Sequence, residues 1–117
     1  MKEIARRALL YDFYGELLTD HQKQVYEDAV MNDFSLSELA EEYNVSRQGI
    51  HDLLKRCDGI LEGYEEKLGL IKRFDVLKGT AKSIQGDLES LKEISSKKER
   101  NRLISEIQKK ITDIEDI

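Results

Sequence analysis

Six polar side chains, Ser46, Arg47, Gln48, His51, Lys55 and Arg56, fall in one short stretch of the sequence. Their types suit contact with a nucleic acid. An arginine can bond the two acceptors of a guanine edge, and a glutamine can pair in the same bidentate way with adenine, which assigns those tasks to Arg47 and Gln48. Ser46, placed at a helix start, is suited to hold a phosphate. Lys55 and Arg56 would meet backbone phosphates farther along. Asp52 lies among them; it repels phosphate but can accept a hydrogen bond from cytosine. Exposed Arg, Gln and Lys suit a plain solvated helix face just as well, so residue type alone leaves both readings open.

Other reactive side chains are isolated. His21 has no metal partner at ligand spacing. Cys57 is the single cysteine, so neither an intrachain disulfide nor a thiolate zinc cluster can form. Its helical position predicts packing rather than reactivity. No nucleophile–base pattern and no glycine-rich phosphate loop is present. The sequence therefore predicts no catalysis, no metal and no cofactor.

The polar stretch must be positioned by helices. Residues 36–56 read LSELAEEYNVSRQGIHDLLKR. A helix-turn-helix needs two helices crossing steeply about a three- or four-residue turn. Ala40 supplies the small residue for the close crossing. Leu39 and Tyr43 are expected in the core before the turn, Val45 as its plug, and Ile50 and Leu53 in the core after it. Asn44 suits the left-handed backbone of the turn. Ser35 with Glu38, and Thr19 with Gln22, match the capping box at two helix starts. The spacing predicts helices over about 3–17, 20–31 and 36–43. A fourth is expected from Arg47 to about Phe74, with a break at Asp75. Gly49 costs about 1 kcal/mol against alanine inside a helix. Tyr11, Phe13, Tyr14, Tyr26, Phe34 and Tyr43 are expected in the core.

Downstream, Phe74, Ala81 and Leu88 repeat every seven residues, as do Leu77, Ile84 and Leu91. The two rows interleave like the seam of a coiled coil or helical hairpin. Ser95 and Ser96 interrupt the pattern. Leu103, Ile107, Ile111, Ile114 and Ile117 form a further narrow stripe. Such thin apolar faces must pack on each other, on the N-terminal domain or on a second chain, and the heptad rows predict a homodimer through this stripe. The expected architecture is all-α: an N-terminal helix-turn-helix bundle over 1–74, and a long C-terminal helical extension or hairpin over 75–117.

Composition limits the partners. Charged residues make up 37% and hydrophobic residues 39%, a balance suited to narrow amphipathic helices rather than a thick core. The absence of proline permits long helices. The net charge of -5 disfavours tight nonspecific nucleic-acid binding. Residues 1–45 carry four Lys/Arg against ten Asp/Glu, whereas residues 46–57 carry three against one. The only basic stretch is thus the one holding the candidate contacts. Met1–Leu10 does not read as a signal peptide, and no apolar run spans a bilayer. A lone cysteine fits a reducing compartment. The expected location is the cytoplasm.

Two blocks, YDFYG at 11–15 running to Leu18-Thr19 and SRQGIHDLLKR at 46–56, occur in order and at a separation that resembles the YlxM family of small bacterial proteins. The helix-turn-helix also resembles region 4 of sigma factors. The YlxM resemblance implies a non-enzymatic accessory or regulatory protein of the signal recognition particle pathway. Its implied partners are the particle's RNA or its GTPase. The intact helix-turn-helix supports an alternative, a DNA-binding transcriptional regulator. The family pattern has alanine where this chain has Gly49, and the match loosens beyond about Asp75.

Overall fold

The computed structural model describes residues 4–116. It is all-helical among the described residues, and it separates into two compact units, residues 1–71 and 72–117.

The first unit opens with α1, Ile4–Tyr14, which tightens into a 3-10 turn at Gly15–Leu17 instead of continuing as α-helix. A β-carbon at Gly15 would lie 2.7 Å from the Tyr11 ring, so only glycine lets the chain turn against that ring. α2, Asp20–Val30, starts at Thr19, whose hydroxyl accepts from the Gln22 amide while the Gln22 side chain accepts from the Thr19 amide. α3, Leu36–Glu42, starts with the same reciprocal pair between Ser35 and Glu38. Both capping boxes are therefore formed, and each satisfies amide donors that a helix start leaves free.

Asn44 adopts the left-handed conformation, with φ of 54°. The chain then enters α4, Arg47–Leu68, capped by the Ser46 hydroxyl, which accepts from the Gly49 amide at 2.9 Å. Leu39, Ile50, Leu54, Cys57 and Leu61 are buried with Leu10, Tyr14, Val25 and Tyr26 in one core. Tyr11, Phe13, Phe34, Ala40, Tyr43 and Leu53 pack partly buried against it. Val45 does not plug the turn; it is 47% exposed. Leu39 before the turn and Ile50 after it are fully buried, so the core at the turn is closed without Val45.

α4 ends earlier than its periodicity predicts. Gly69 stands in the left-handed region at φ 62°, and its amide bonds the Glu65 carbonyl at 2.8 Å. This is the usual glycine stop of a helix. α5, Leu70–Leu91, follows at once and runs unbroken through Asp75 and Gly79, so the break expected at Asp75 is absent. The junction is latched to α1. The Tyr14 hydroxyl donates to Glu65 Oε1 at 2.5 Å and accepts from the Leu70 amide at 3.1 Å, while the Ile71 amide donates to the same Glu65 oxygen at 3.0 Å. The free amides of the α5 start are thus satisfied by two side chains far apart in sequence.

Buried polar groups knit the first unit. Asp58 accepts from the Arg7 guanidinium at 2.7 and 3.0 Å and from the Tyr26 hydroxyl at 2.7 Å. Burial, and then the bond to Asp58, push the Tyr26 phenol well above its ordinary value. Asp28 accepts from the Tyr43 hydroxyl at 2.6 Å and from the Asn32 amide at 2.9 Å. The Tyr43 bond holds the Asp28 carboxyl below its usual range, and burial raises Tyr43 to about 12. That bond ties the C-cap residue of α3 to α2.

In the second unit, α5 continues from Lys72, and α6, Lys97–Glu115, begins at Ser96, whose hydroxyl accepts from the Glu99 amide. The interruption at Ser95 and Ser96 is the hairpin connection. Lys110 Nζ donates to Ser83 Oγ at 2.7 Å and Asp87 Oδ2 at 2.6 Å, so α6 folds back along α5. Only part of the predicted seam is used within the hairpin. Leu77, Ile84 and Leu91 are half-buried and Leu103 and Ile107 buried, whereas Phe74, Ala81, Leu88, Ile104 and Ile111 are exposed. Ile117 lies outside the described residues.

Candidate nucleic-acid interface

α4 is amphipathic over its first three turns. Ile50, Leu54 and Cys57 point into the core with Leu53 packed beside them, and a helix rotates 100° per residue, so the polar residues between them face outward. Ser46, Arg47, Gln48, His51, Lys55 and Arg56 are all exposed. Gln48, Asp52 and Lys55 lie along the middle of this face, Arg47 and His51 along one flank, and Arg56 along the other.

Some of these side chains are already engaged. Ser46 is occupied as the N-cap. Gln48 Nε2 donates to Asp52 Oδ1 at 2.9 Å, which orients the amide one turn along the helix. His51 Nδ1 stands 3.6 Å from the same carboxylate oxygen. Arg47, Lys55 and Arg56 form no ion pair among the described residues, so these three cations, spread from one flank of the outward side of α4 to the other, remain available to an anionic partner. The other two arginines of this unit are committed: Arg6 pairs with Glu62, and Arg7 with Asp58, both at 2.7 Å.

Two shallow grooves border the outward face. One, of about 400 Å³, lies toward the start of α3 and is lined by Leu36, Arg47, Gln48 and His51. The other, of about 380 Å³, lies toward the start of α2, where His21 and Thr19 face Asp52 and Arg56. His21 also stands edge-on to the Tyr43 ring, with centroids 5.7 Å apart.

A β-carbon at Gly49 would sit 3.1 Å from Ser46 Oγ, a tight contact. The equivalent position of the other threonine and serine caps holds Gln22, Glu38 and Glu99, so the cap itself does not demand glycine. Cys57 is buried, and burial raises its thiol to about 11, so little thiolate exists at neutral pH. Among the described residues no group of three His, Cys, Asp or Glu could hold a metal ion. No described helix is long and apolar enough to cross a membrane.

A short helix, a tight left-handed turn and a second helix with an exposed polar face together define a helix-turn-helix protein. The chain belongs to the family described as "Putative helix-turn-helix protein, YlxM / p13 like", whose model matches residues 1–101. It is 42% identical over 106 residues to a UPF0122 protein of Thermoanaerobacter sp. (strain X514), covering 91% of each chain. It is 39% identical over 114 residues to a UPF0122 protein of Acetivibrio thermocellus, covering 97% of each. Against the UPF0122 protein YlxM of Bacillus subtilis (strain 168), identity is 49% over 74 residues, 63% of this chain and 67% of that one.

The sequence placed the polar face of α4 correctly on one helix but did not reveal which of its cations are free. It also gave His21 no role. The position of His21 opposite Arg56 depends on how α2 crosses α4, and no local spacing reports that crossing.

Proposed function

We propose that this chain is a non-enzymatic accessory or regulatory protein of the signal recognition particle pathway, acting in the cytoplasm and binding through α4. The observation that carries the binding part is the set of three unpaired cations, Arg47, Lys55 and Arg56, on the exposed face of a helix-turn-helix. The pathway part rests on the YlxM resemblance, which implies the particle's RNA or its GTPase as partner. The modest charge of the face fits this reading, because three cations neutralise few phosphates and duplex binding would depend only shallowly on salt.

The second reading is a DNA-binding transcriptional regulator. Arg47 and Gln48 favour it, since they stand in the first turn of α4, where such helices contact base edges. A titration of the purified protein against assembled signal recognition particle, with excess random duplex DNA at physiological salt, separates the two. Retained binding supports the accessory reading. Binding lost to the DNA replaces it with the regulator.

A homodimer through the second unit is also proposed. Leu88 on α5 and Ile104 and Ile111 on α6 remain exposed. Ala81 and Leu88 stand seven apart on α5, as Ile104 and Ile111 do on α6, so each pair shares one face of its own helix. A second hairpin covering these faces would bury both pairs as a four-helix bundle. Sedimentation at micromolar concentration is expected to show twice the 13.6 kDa chain mass. Leu88→Glu with Ile111→Glu is expected to return the monomer. A wild-type protein that sediments only as monomer rules the dimer out.

A further inference from the structure

Five exposed residues of α6, Arg100, Ile104, Gln108, Ile111 and Glu115, follow one another at steps of four, four, three and four. That spacing sets them in a single stripe along the helix. Leu103 and Ile107, which are buried, occupy a neighbouring face. The stripe is therefore left uncovered by α5. Arg100 and Glu115, at its two ends, form no ion pair among the described residues.

The stripe reads cation, isoleucine, glutamine, isoleucine, carboxylate, and this order is complementary to its own reverse. A second α6 laid antiparallel, with the twofold axis between Ile107 and Gln108, sets Arg100 against the partner's Glu115. The same register sets Ile104 against the partner's Ile111, because both pairs share one midpoint. This is the isologous contact of a twofold dimer, in which one patch meets itself. A parallel pairing of the stripes opposes arginine to arginine and glutamate to glutamate. The rest of α6 repeats the polarity. Lys97 and Lys98 stand in its first turn and Asp113 in its last, an order that the helix dipole disfavours and an antiparallel neighbour offsets.

α5 borders the same site. Its Leu88 and Leu91 line a groove of about 570 Å³ together with Arg100 of α6. The one carboxylate in that lining, Glu89, is paired with Lys92 at 3.3 Å, which leaves the Arg100 charge uncompensated. Lys110 bonds Ser83 and Asp87, so Leu88 lies level with the middle of α6, close to the axis. Leu88 is 47% exposed. A second copy in this register covers it and lays the partner's Ile111 and the partner's Glu115 along the groove.

We propose that two copies of the chain pair antiparallel through α6, held in register by two reciprocal Arg100–Glu115 ion pairs flanking the Ile104–Ile111 contacts. The proposal rests on the homodimer reading of the second unit and adds the orientation and the residues that fix it. Exposed ion pairs add little affinity. Opposed like charges are disfavoured, so these pairs select the arrangement rather than drive association.

The test uses the full chain, in sedimentation at low ionic strength, where exposed charges are least screened. Arg100→Glu opposes like charges twice per dimer and is expected to raise the dimer dissociation constant by about tenfold. Adding Glu115→Arg is expected to restore the wild-type value to within about threefold. Disulfide formation between single introduced cysteines reads the orientation, since Cys57 is buried. Gln108→Cys, beside the axis, is expected to cross-link. Arg100→Cys is expected not to, because its two copies stand about 22 Å apart along the helices and a disulfide needs α-carbons within about 7 Å. Cross-linking through Arg100→Cys overturns the arrangement while leaving the dimer. So does a dimer in which Gln108→Cys does not cross-link, or a charge swap that fails to restore association. A wild-type chain that sediments only as monomer removes the dimer and its arrangement together.

Discussion

Asp58→Ala is expected to destabilise the first unit by about 3–5 kcal/mol, the cost typical of removing one partner from a buried charge pair. Asp58 is only 7% exposed and accepts from both the Arg7 guanidinium and the Tyr26 hydroxyl. Alanine leaves that guanidinium without its carboxylate and that hydroxyl without an acceptor, in a site with little water. The penalty comes from the groups left behind more than from the bond removed. For a unit of this size each kcal/mol lowers Tm by about 4–8 °C. Thermal unfolding followed by circular dichroism should therefore shift downward by more than about 12 °C. Arg6, whose partner Glu62 is a third exposed, gives the contrast. Arg6→Ala should cost no more than about 1 kcal/mol. Equal effects from the two substitutions would show that burial of Asp58 is not what matters.

The second large effect concerns binding. Replacing Arg47, Lys55 and Arg56 together by alanine is expected to lower nucleic-acid affinity by about a thousandfold. Each lost contact to a charged group costs about 1.5 kcal/mol or more, and each 1.4 kcal/mol is tenfold. The salt slope should fall by nearly two, at about 0.9 for each of the phosphate contacts of Lys55 and Arg56. Stability should hardly change, because all three side chains are exposed and form no ion pair among the described residues. Loss of affinity together with loss of folding would point to a structural role for the face. Unchanged affinity would exclude these residues as contacts.

The caps and the turn were legible in the sequence because each is a local demand. Thr19 with Gln22, Ser35 with Glu38, and Ser46 act within three residues of themselves, and Asn44 answers a backbone requirement at its own position. The helix break at Gly69 was not legible. The periodicity of α4 runs on into Leu70 and Ile71, and the stop depends on Tyr14 and Glu65 capping the next helix from a distance. The same holds for Asp58. Its partners Arg7 and Tyr26 are 51 and 32 residues away, and an aspartate in a charged helix gives no sign of burial. In the second unit, heptad spacing located an apolar face but not how it divides. Within the hairpin Leu77, Ile84 and Leu91 are half-buried, and the neighbouring row is left exposed. For the candidate interface, spacing grouped the six side chains on one face. The pairing of Gln48 with Asp52 and the approach of His21 required the packed structure.

The most direct test of the α4 interface is a nuclear magnetic resonance titration of the uniformly 15N-labelled full chain with a short DNA duplex and, separately, with signal recognition particle RNA. If α4 is the interface, amide shift changes should concentrate at residues 46–56, extend to the start of α2, and disappear in the Arg47, Lys55 and Arg56 triple-alanine protein. Changes confined to other helices, with residues 46–56 unmoved by either nucleic acid, would contradict the assignment of α4 as the binding face.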